Sequence, residues 1–328
     1  MIFSPDLGKF AETLILSPFS HSLNYADAIF EGMSIVVGKR ISIFHPELNY
    51  ERMQYGADFM KYGYKINIVR AINTVFYLYL MNNYQSKRVY VRPLLYRDND
   101  SVGLRNSGST KLMHVLMPMG EYIAKEELSV LVSEIPRELP FARIKASSNY
   151  QLSLYALREA NGYDEVIFMN SKGKLIEGSG ENVVFLKDNT IYTDRDNSLP
   201  GITLRFVVKI AKELGLDFKY GSFGPEEIRD VDLVMFTGNA IGVKIVKNLS
   251  WRGNLISPKM QSLDIYHKIR DRYNEIFMGQ DEQYHMFLDE FIDIDAYNSN
   301  RIDLDRKPER FDRVVKENIE ELGIAKFL

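Results

Sequence analysis

One lysine and several short polar motifs are the parts of this chain that could carry covalent and acid–base chemistry. Lys145 lies in the segment ARIKASSNY, between an apolar extended stretch and the predicted start of a helix. Its amine could bond to a carbonyl compound and could then move protons. Because a lone loop lysine is usually solvated, the case for Lys145 depends on the motifs that accompany it.

These motifs lie on both sides of Lys145. Three lie downstream, each at the end of a predicted extended segment, and three lie upstream. The downstream motifs are residues 177–182 (EGSGEN), 199–203 (LPGIT) and 237–240 (TGNA). The upstream ones are residues 30–32 (FEG), Arg52 in the sequence YERM, and residues 90–93 (YVRP).

One of these motifs could bind an anion on physical grounds. Ile202 and Thr203 open a predicted helix directly after Gly201. A helix N-terminus offers unpaired backbone N–H groups and a favourable dipole, and a glycine permits close approach of a phosphate. Thr203 could instead serve only as a helix cap, and the two roles are compatible.

Apolar periodicity and turn signals predict the elements that must position these residues. Gly38-Lys39-Arg40 predicts the turn of a hairpin, and Pro46 predicts the start of a helix. The predicted strands are 34–37, 41–44, 89–96, 112–117, 128–133, 166–170, 182–186 and 231–236. One predicted helix begins at residue 46. The others cover residues 66–82, 148–160, 202–214, 259–278 and 310–322.

Pro118, Gly120 and the charged stretch after them indicate a domain boundary. The prediction is an N-terminal domain over residues 1–120, an interdomain loop over 121–127 and a C-terminal domain over 128–279. An acidic helical extension over 280–328 is expected to pack on the surface or across a subunit contact.

Composition excludes several classes of function. The 41 lysines and arginines against 44 acidic residues give a net charge of −3, so nothing drives the chain toward nucleic acid or anionic membranes. The absence of cysteine removes disulfides, thiolate metal sites and a cysteine nucleophile. The five histidines are scattered, which leaves a metal site without support. With no leader or membrane span recognised, the prediction is a soluble cytoplasmic protein.

Taken in order, the six motifs resemble the class IV, fold-type-IV pyridoxal-phosphate aminotransferases, and most closely the branched-chain amino-acid aminotransferases. The resemblance runs from about Tyr25 to Gly279. It implies an α/β (α+β) fold with a smaller N-terminal α/β domain, a larger β-rich C-terminal domain and the cofactor at their interface. It also implies pyridoxal 5′-phosphate as cofactor and a homodimer or higher homo-oligomer.

The resemblance assigns three residues to the reactive part of the cofactor. Lys145 is similar to the lysine that forms the Schiff base and then transfers protons. Glu177 is similar to the carboxylate beside the pyridine nitrogen of the cofactor, and the negative charge of that carboxylate keeps the nitrogen protonated. Glu181 is the alternative in the same motif. Tyr150 is similar to the phenol on the cofactor's 3′ oxygen, and it could instead be a core tyrosine.

A second group of residues is assigned to the phosphate. Ile202 and Thr203 would form a cup at the helix N-terminus, and Arg52 would clamp the dianion with its planar fork. Asn239 stands where the family has a threonine, and it could still donate through its amide and its backbone N–H.

The remaining assignments concern the substrate. Tyr90 and Arg92 share one face of a strand and are similar to the pair that contacts substrate carboxylates. Phe30 would line the side-chain pocket, although it could equally belong to the core. Three further residues complete the predicted contacts: Tyr25, which would reach the neighbouring subunit's site, Tyr122 and Ala240. Lys244 departs from the family pattern and puts an unexpected positive charge near the substrate end.

The function implied is transamination between an apolar L-amino acid, branched-chain or other, and a 2-oxo acid such as 2-oxoglutarate. Two alternatives stay open. One is another activity of the same fold: a D-amino-acid or (R)-amine aminotransferase, or an aminodeoxychorismate lyase. The other is a catalytically silent member of the family, for which Asn239 and Lys244 would be signs of drift.

Overall fold

The computed structural model describes residues 2–4, 9–11, 13, 15–99, 101–105, 108–120 and 123–323. Its mixture of strands and helices confirms the predicted α/β (α+β) class. The strands are β1 (Ile2–Ser4), β2 (Lys9–Ala11), β3 (Ala28–Phe30), β4 (Met33–Val37), β5 (Ile41–Phe44), β6 (Arg88–Asp98), β7 (Ser109–Pro118), β8 (Glu127–Val132), β9 (Glu165–Met169), β10 (Leu175–Gly178), β11 (Asn182–Lys187), β12 (Thr190–Thr193), β13 (Asp217–Tyr220), β14 (Leu233–Gly238), β15 (Gly242–Trp251), β16 (Asn254–Ile256) and β17 (His285–Phe287). The α-helices are α1 (His21–Tyr25), α2 (Pro46–Phe59), α3 (Ile68–Asn82), α4 (Tyr150–Glu159), α5 (Ile202–Glu213), α6 (Leu263–Phe277), α7 (Leu288–Phe291), α8 (Ile294–Asn298) and α9 (Phe311–Leu322).

Local signals account for most of these elements and for small shifts at their ends. The predicted hairpin is confirmed, because β4 and β5 pair in antiparallel fashion. Helix α3 begins two residues later than predicted because the Asn67 side chain caps it, accepting from the Arg70 N–H at 3.1 Å. Helix α6 begins four residues late because Met260 and Ser262 have φ values of 54° and 61°, outside helical geometry.

The chain divides into two compact units. The first contains Met1–Gly120, Ile144–Ser148 and Ile276–Leu328, and the second contains Glu121–Arg143 and Asn149–Glu275. These limits differ from the predicted domains in two places. The segment that carries Lys145 belongs to the first unit, and so does everything after position 275.

The first unit is built on an antiparallel sheet. Its order is β17-β5-β4-β6-β7-β1-β2, and β3 pairs separately with β6. The core between this sheet and helices α2 and α3 is apolar, with Ile35, Met53 and Phe76 fully buried. Strand β6 is the centre of this arrangement because it pairs with β3, β4 and β7 along its length.

Part of the segment 281–323 belongs to this core, whereas its acidic composition predicted an extension on the surface or across a subunit contact. Strand β17 pairs with β5 at the edge of the sheet. Phe291, Phe311 and Val314 are buried in the same apolar cluster as α2 and α3. The physical reason is that an edge strand leaves backbone groups to be paired, and the amphipathic α9 has an apolar face to bury.

The second unit carries a mixed sheet. Its order is β10-β9-β8-β15-β14-β11-β12-β13, with β16 on β15. Strand β10 also pairs with β11, so six of the strands form a closed ring of pairings. The pairings β8–β9, β8–β15 and β12–β13 are parallel, and the sequence pattern alone did not predict them. Helix α5 packs against β14 and β13.

Candidate active site

Lys145 lies on a short segment that is anchored to strand β3 of the first unit. The backbone N–H of Phe30 donates to the carbonyl oxygen of Lys145 at 3.1 Å, and Ala146 forms an antiparallel bridge with Ile29. The Lys145 amine nitrogen lies 5.1 Å from the centroid of the Phe30 ring. The backbone therefore holds the segment to the sheet while the side chain reaches the face of an aromatic ring.

Tyr90 and Arg92 meet the same ring. They occupy alternate positions of β6, so their side chains project from one face of the strand. Arg92 donates to the Tyr90 hydroxyl from Nε at 3.2 Å and from Nη2 at 2.7 Å, and its guanidinium carbon lies 4.5 Å from the Phe30 ring centroid. The structure thus brings Phe30, Tyr90, Arg92 and Lys145 together, and their binding roles stay predictions.

Gly32 leaves the room that the Tyr90 hydroxyl occupies. A Cβ added at Gly32 would lie 2.6 Å from that oxygen. Any larger residue would therefore push the phenol away and disturb its hydrogen bonds with Arg92. This contact gives a physical reason for the glycine in the FEG motif.

Arg52 is held by a carboxylate that the sequence did not single out. Its Nε donates to Glu31 Oε1 at 2.7 Å and its Nη2 donates to Glu31 Oε2 at 2.7 Å. The Glu31 side chain is fully buried, and that of Arg52 is 6% exposed. Asn49 donates its amide to Glu31 Oε2 at 2.9 Å and thereby completes a buried cluster at the middle of α2.

Glu177 forms the corresponding ion pair of the second unit. Its Oε1 lies 2.9 Å from Nε of Arg137, as an ion pair rather than an aligned hydrogen bond. Its Oε2 accepts from the backbone N–H of Leu199 at 3.2 Å. Both side chains of the pair are buried, at 7% and 5% exposure. The hydrogen bond of Glu181 is local: its Oε2 accepts from the backbone N–H of the preceding residue, Gly180, at 2.9 Å.

Sequence reasoning missed Arg137. It donates from Nη1 to the Ser153 hydroxyl at 2.6 Å, and Ser153 donates to the carbonyl oxygen of Ser179 at 2.7 Å. Its guanidinium carbon lies 4.9 Å from the ring centroid of Phe168. The only available signal was chemical: a buried carboxylate such as Glu177 needs a cation or several donors.

The N-terminus of α5 has the features of an anion site. Gly201 is its N-cap residue, and no side chain caps the first turn. A Cβ at Gly201 would lie 1.8 Å from Oδ1 of Asn182, whose amide donates to the Leu199 carbonyl at 2.7 Å. Ile202 and Thr203 are buried, and the Thr203 hydroxyl lies 3.3 Å from that of Tyr273. Thr203 is therefore inside the helix rather than its cap.

A second hydroxyl near this helix was also missed. Thr237 on β14 pairs directly with Asn182 on β11, so their side chains share a face of the sheet. Thr237 is 1% exposed and its Oγ1 has no hydrogen-bond partner among the described residues. A buried donor of this kind and an uncapped helix N-terminus fit a phosphate group. Asn239 and Ala240 follow on the half-buried turn before β15.

The structure describes two of the other three predicted tyrosines. Tyr150 is the half-buried first residue of α4. Tyr25 ends α1, is 42% exposed and donates to the carbonyl oxygen of Val102 at 3.2 Å. Tyr122 lies outside the described residues.

Lys244, the unexpected positive charge, is neutralised within the second unit. Its amine nitrogen lies 3.2 Å from Glu126 Oε2, and Arg270 Nη1 donates to Glu126 Oε1 at 2.6 Å. Tyr266 donates to the same carboxylate. Burial alone would raise the pKa of Glu126, but the hydrogen bonds from Tyr266, Arg270 and Lys244 lower it to about 2.

Two kinds of feature are missing from the described part of the chain. No helix there combines the length and the apolar character that crossing a membrane requires. No group of three or more histidine or acidic side chains in those ranges could hold a metal ion.

Comparison with known proteins assigns the family. The sequence profile described as amino-transferase class IV matches residues 28–249. The chain belongs to the class IV aminotransferases. The matched region contains the Phe30 cluster, the Arg52–Glu31 pair, Lys145, the Arg137–Glu177 pair and the N-terminus of α5.

Individual relatives support this class IV assignment. A probable branched-chain-amino-acid aminotransferase of Rickettsia bellii is 28% identical over 246 residues, which is 73% of this chain and 83% of the relative. The branched-chain-amino-acid aminotransferase of Escherichia coli K12 is 29% identical over 245 residues, or 70% of this chain and 78% of the relative.

Solved structures show the same fold. The branched-chain aminotransferase of Thermoproteus uzoniensis superposes with a TM-score of 0.80 at 24% identity, covering 88% of this chain and 98% of the other. A T.th. branched-chain amino acid aminotransferase, solved in complex with N-(5′-phosphopyridoxyl)-L-glutamate, gives a TM-score of 0.77 at 25% identity with the same coverage.

Proposed function

We propose that this class IV aminotransferase binds pyridoxal 5′-phosphate and exchanges the amino group between a branched-chain or other apolar L-amino acid and a 2-oxo acid such as 2-oxoglutarate. The observation that carries the proposal is the cluster around Phe30. There a lysine amine and an arginine already hydrogen-bonded to a tyrosine approach one aromatic ring. This arrangement supports the proposal because an amine, a cation able to bind a carboxylate and an apolar ring lie close together.

Each predicted residue has a defined task in this scheme. When bound, the cofactor supplies an aldehyde and an electron-withdrawing ring that stabilises negative charge at the substrate Cα. Lys145 would hold the cofactor through its amine and would move the proton at the substrate Cα. The Glu177 carboxylate would favour the protonated form of the ring nitrogen, and the Tyr150 phenol would donate to the 3′ oxygen.

The phosphate would be bound mainly by the second unit. The first-turn N–H groups of α5, at Ile202 and Thr203, supply donors and a favourable dipole. The buried hydroxyl of Thr237 and the amide of Asn239 add further donors. Arg52 stays the predicted source of positive charge for the phosphate.

Substrate recognition follows from the Phe30 cluster. Arg92 and Tyr90 would bind a substrate carboxylate, and the Phe30 ring would contact an apolar side chain. Ala240, Tyr25 and Tyr122 stay predicted substrate contacts. The L-configuration and the branched-chain preference rest on the names of the relatives and on the FEG and YVRP motifs.

The assembly and the location of the enzyme complete the proposal. We expect a homodimer at least, in which the exposed ring of Tyr25 reaches the neighbouring subunit's site. Light scattering on the purified protein measures the mass, and a monomer at all active concentrations would contradict this expectation. The cytoplasmic location stays a prediction.

Absorbance spectra and borohydride trapping test the proposal. The purified protein should show a visible cofactor band that borohydride bleaches, and peptide mapping should place the reduced adduct on Lys145. Lys145→Ala should lose the band and all transamination, whereas Lys268→Ala, at an exposed site on α6, should keep both. A Lys145→Ala protein with full turnover would overturn the assignment.

A donor panel then separates the activities that share this fold. Valine, leucine and isoleucine as L-enantiomers should transfer their amino group to 2-oxoglutarate, and the D-enantiomers should not. Turnover of D-amino acids or (R)-amines alone would replace the L-specific proposal, and a protein with neither cofactor band nor turnover would be a silent family member. The neutralisation of Lys244 by Glu126 weakens the argument for silence.

A further inference from the structure

Glu31 is the most deeply buried carboxylate in contact with a residue of the proposed cofactor site. Its side chain has no exposed surface, and both of its oxygens accept from the guanidinium of Arg52. Asn49, one helical turn before Arg52 on α2, donates to Glu31 Oε2 at 2.9 Å and to the Gly32 carbonyl at 3.3 Å. The carboxylate is therefore fixed from two sides.

This geometry determines the orientation of Arg52. A guanidinium group is planar, and its Nε and one N–H of Nη2 form one edge of the fork. That edge is occupied by Glu31. The N–H groups of Nη1 and the second N–H of Nη2 then point away from Glu31, so the carboxylate selects which edge of the arginine can meet an anion.

The position of Glu31 in the chain links this orientation to the substrate cluster. Glu31 lies between Phe30, whose ring contacts Lys145 and Arg92, and Gly32, whose missing side chain leaves room for the Tyr90 hydroxyl. Retaining a charged pair in an apolar core is costly, and an apolar pair of the same shape is often as stable. The pair therefore calls for a role other than stability.

We propose that Glu31 is a positioning residue that holds Arg52 so that its outward edge receives the phosphate of the cofactor. The inference rests on the proposed function, because it takes Arg52 as a phosphate ligand. It adds a role for the glutamate of the FEG motif and for Asn49 behind it.

Charge and orientation make opposite predictions for Glu31→Gln. If Glu31 acted only through its charge, removing it would leave Arg52 more positive and would strengthen phosphate binding. If Glu31 positions Arg52, the variant should weaken binding, because glutamine presents an NH₂ group to one of the two guanidinium donors and breaks the two-point contact.

The test compares two probes, pyridoxal 5′-phosphate and pyridoxal, titrated into cofactor-free protein and followed by absorbance and fluorescence. The ratio of their dissociation constants, pyridoxal over pyridoxal 5′-phosphate, reports the contribution of the phosphate alone. Glu31→Gln should reduce this ratio about tenfold, the size expected for losing a hydrogen bond to a charged group, with pyridoxal affinity unchanged.

Glu47→Gln is the matched control. It carries the same substitution at a second buried carboxylate, on α2, which accepts a hydrogen bond from Asn318 and none from Arg52. The control should leave the ratio of dissociation constants unchanged. Asn49→Ala supplies a second variant that keeps the Glu31 charge, and it should lower the ratio in the same direction by about threefold.

The outcomes are distinct. A raised ratio in Glu31→Gln, an unchanged ratio, or an equal loss of affinity for both probes would overturn the positioning role. If Glu31→Gln does not fold, Asn49→Ala decides, and an unchanged ratio there overturns the inference. Wild-type protein without saturable binding of either probe would instead overturn the proposed function and, with it, this inference.

Discussion

Two buried arginine–glutamate pairs among the described residues have opposite proposed roles. In the first unit the arginine, Arg52, has the proposed ligand role and Glu31 supports it. In the second unit the glutamate, Glu177, has the proposed role and Arg137 supports it. Both pairs are close, at 2.7 and 2.9 Å, and nearly inaccessible to solvent.

The contacts around each pair explain the difference. Glu31 gives both oxygens to Arg52 and accepts from Asn49 as well, so it is fully used inside the pair. Glu177 meets Arg137 through one oxygen without an aligned hydrogen bond, and its other oxygen meets a backbone N–H. The same two residue types are therefore proposed to serve a phosphate in one place and a ring nitrogen in the other.

The largest effect should come from removing Arg137, because the variant leaves a buried carboxylate without its cation. Arg137→Met should lower the free energy of unfolding by about 4 kcal/mol, as for other broken buried pairs. Urea denaturation followed by circular dichroism measures this loss. Arg158→Met, at an exposed position of α4, should change it by less than about 0.5 kcal/mol, and equal effects in the two variants would show that the Arg137 pair is not stabilising.

A third buried carboxylate, that of Glu47, sharpens the comparison because its hydrogen bond comes from an asparagine and not from an arginine. Asn318 donates to Glu47 Oε1 at 2.6 Å, and Oε2 has no hydrogen-bond partner among the described residues. Burial raises the pKa of Glu47 to about 7, although the hydrogen bond from Asn318 lowers this pKa by a smaller amount. Of the nearby charges, Glu51 raises the pKa and Arg310 lowers it. The folded protein therefore holds this proton more tightly than the unfolded chain does.

The sign of the pH dependence follows. Stability from the protonated Glu47 is fully present below the unfolded pKa of about 4.5 and is lost as the pH rises through about 7, a change of about 3 kcal/mol. Glu47→Gln imitates the protonated acid, so it should lack this loss. The stability difference between variant and wild type, measured by urea denaturation from pH 5 to pH 9, should grow up to about pH 7 and level off above it; a constant difference would contradict the prediction.

Glu177→Gln tests the functional half of the second pair. The neutral amide cannot favour a protonated ring nitrogen, so turnover should fall about a hundredfold while the cofactor still binds. Glu181→Gln is the matched control, and it also decides between the two glutamates of the EGSGEN motif. A larger fall in Glu181→Gln than in Glu177→Gln would reverse that assignment.

The smallest of these four effects concerns the N-terminus of α5. Gly201→Ala places a Cβ against Asn182 Oδ1, so Asn182 must move and the helix start must shift. Affinity for pyridoxal 5′-phosphate should fall about tenfold, with pyridoxal binding unchanged. Gly180→Ala, where a Cβ has no neighbour within 4 Å, is the control, and a loss of the same size there would contradict the prediction.

Much of the fold could be predicted because its signals are local. The β4–β5 hairpin, α5 and α9 follow from residues within a few positions of each other, such as the Gly38-Lys39-Arg40 turn. The parallel pairing of β12 with β13 and the packing of the segment after position 275 into the first unit could not be predicted in this way. They depend on which distant edge or face is left uncovered.

The candidate site also has a part that the sequence predicts and a part that depends on tertiary packing. The order of the amino acids already specifies which chemical groups are present: a lysine amine, two carboxylates in one motif, a glycine before a helix, and the Tyr90–Arg92 alternation. The partners of the buried charges come from the folded chain instead. Arg137 for Glu177, Glu31 for Arg52 and Asn318 for Glu47 join positions up to 271 residues apart, and no local pattern encodes them. The physical reason is that a buried charge must be satisfied by whatever donors the packing brings to it, and packing is a property of the whole chain.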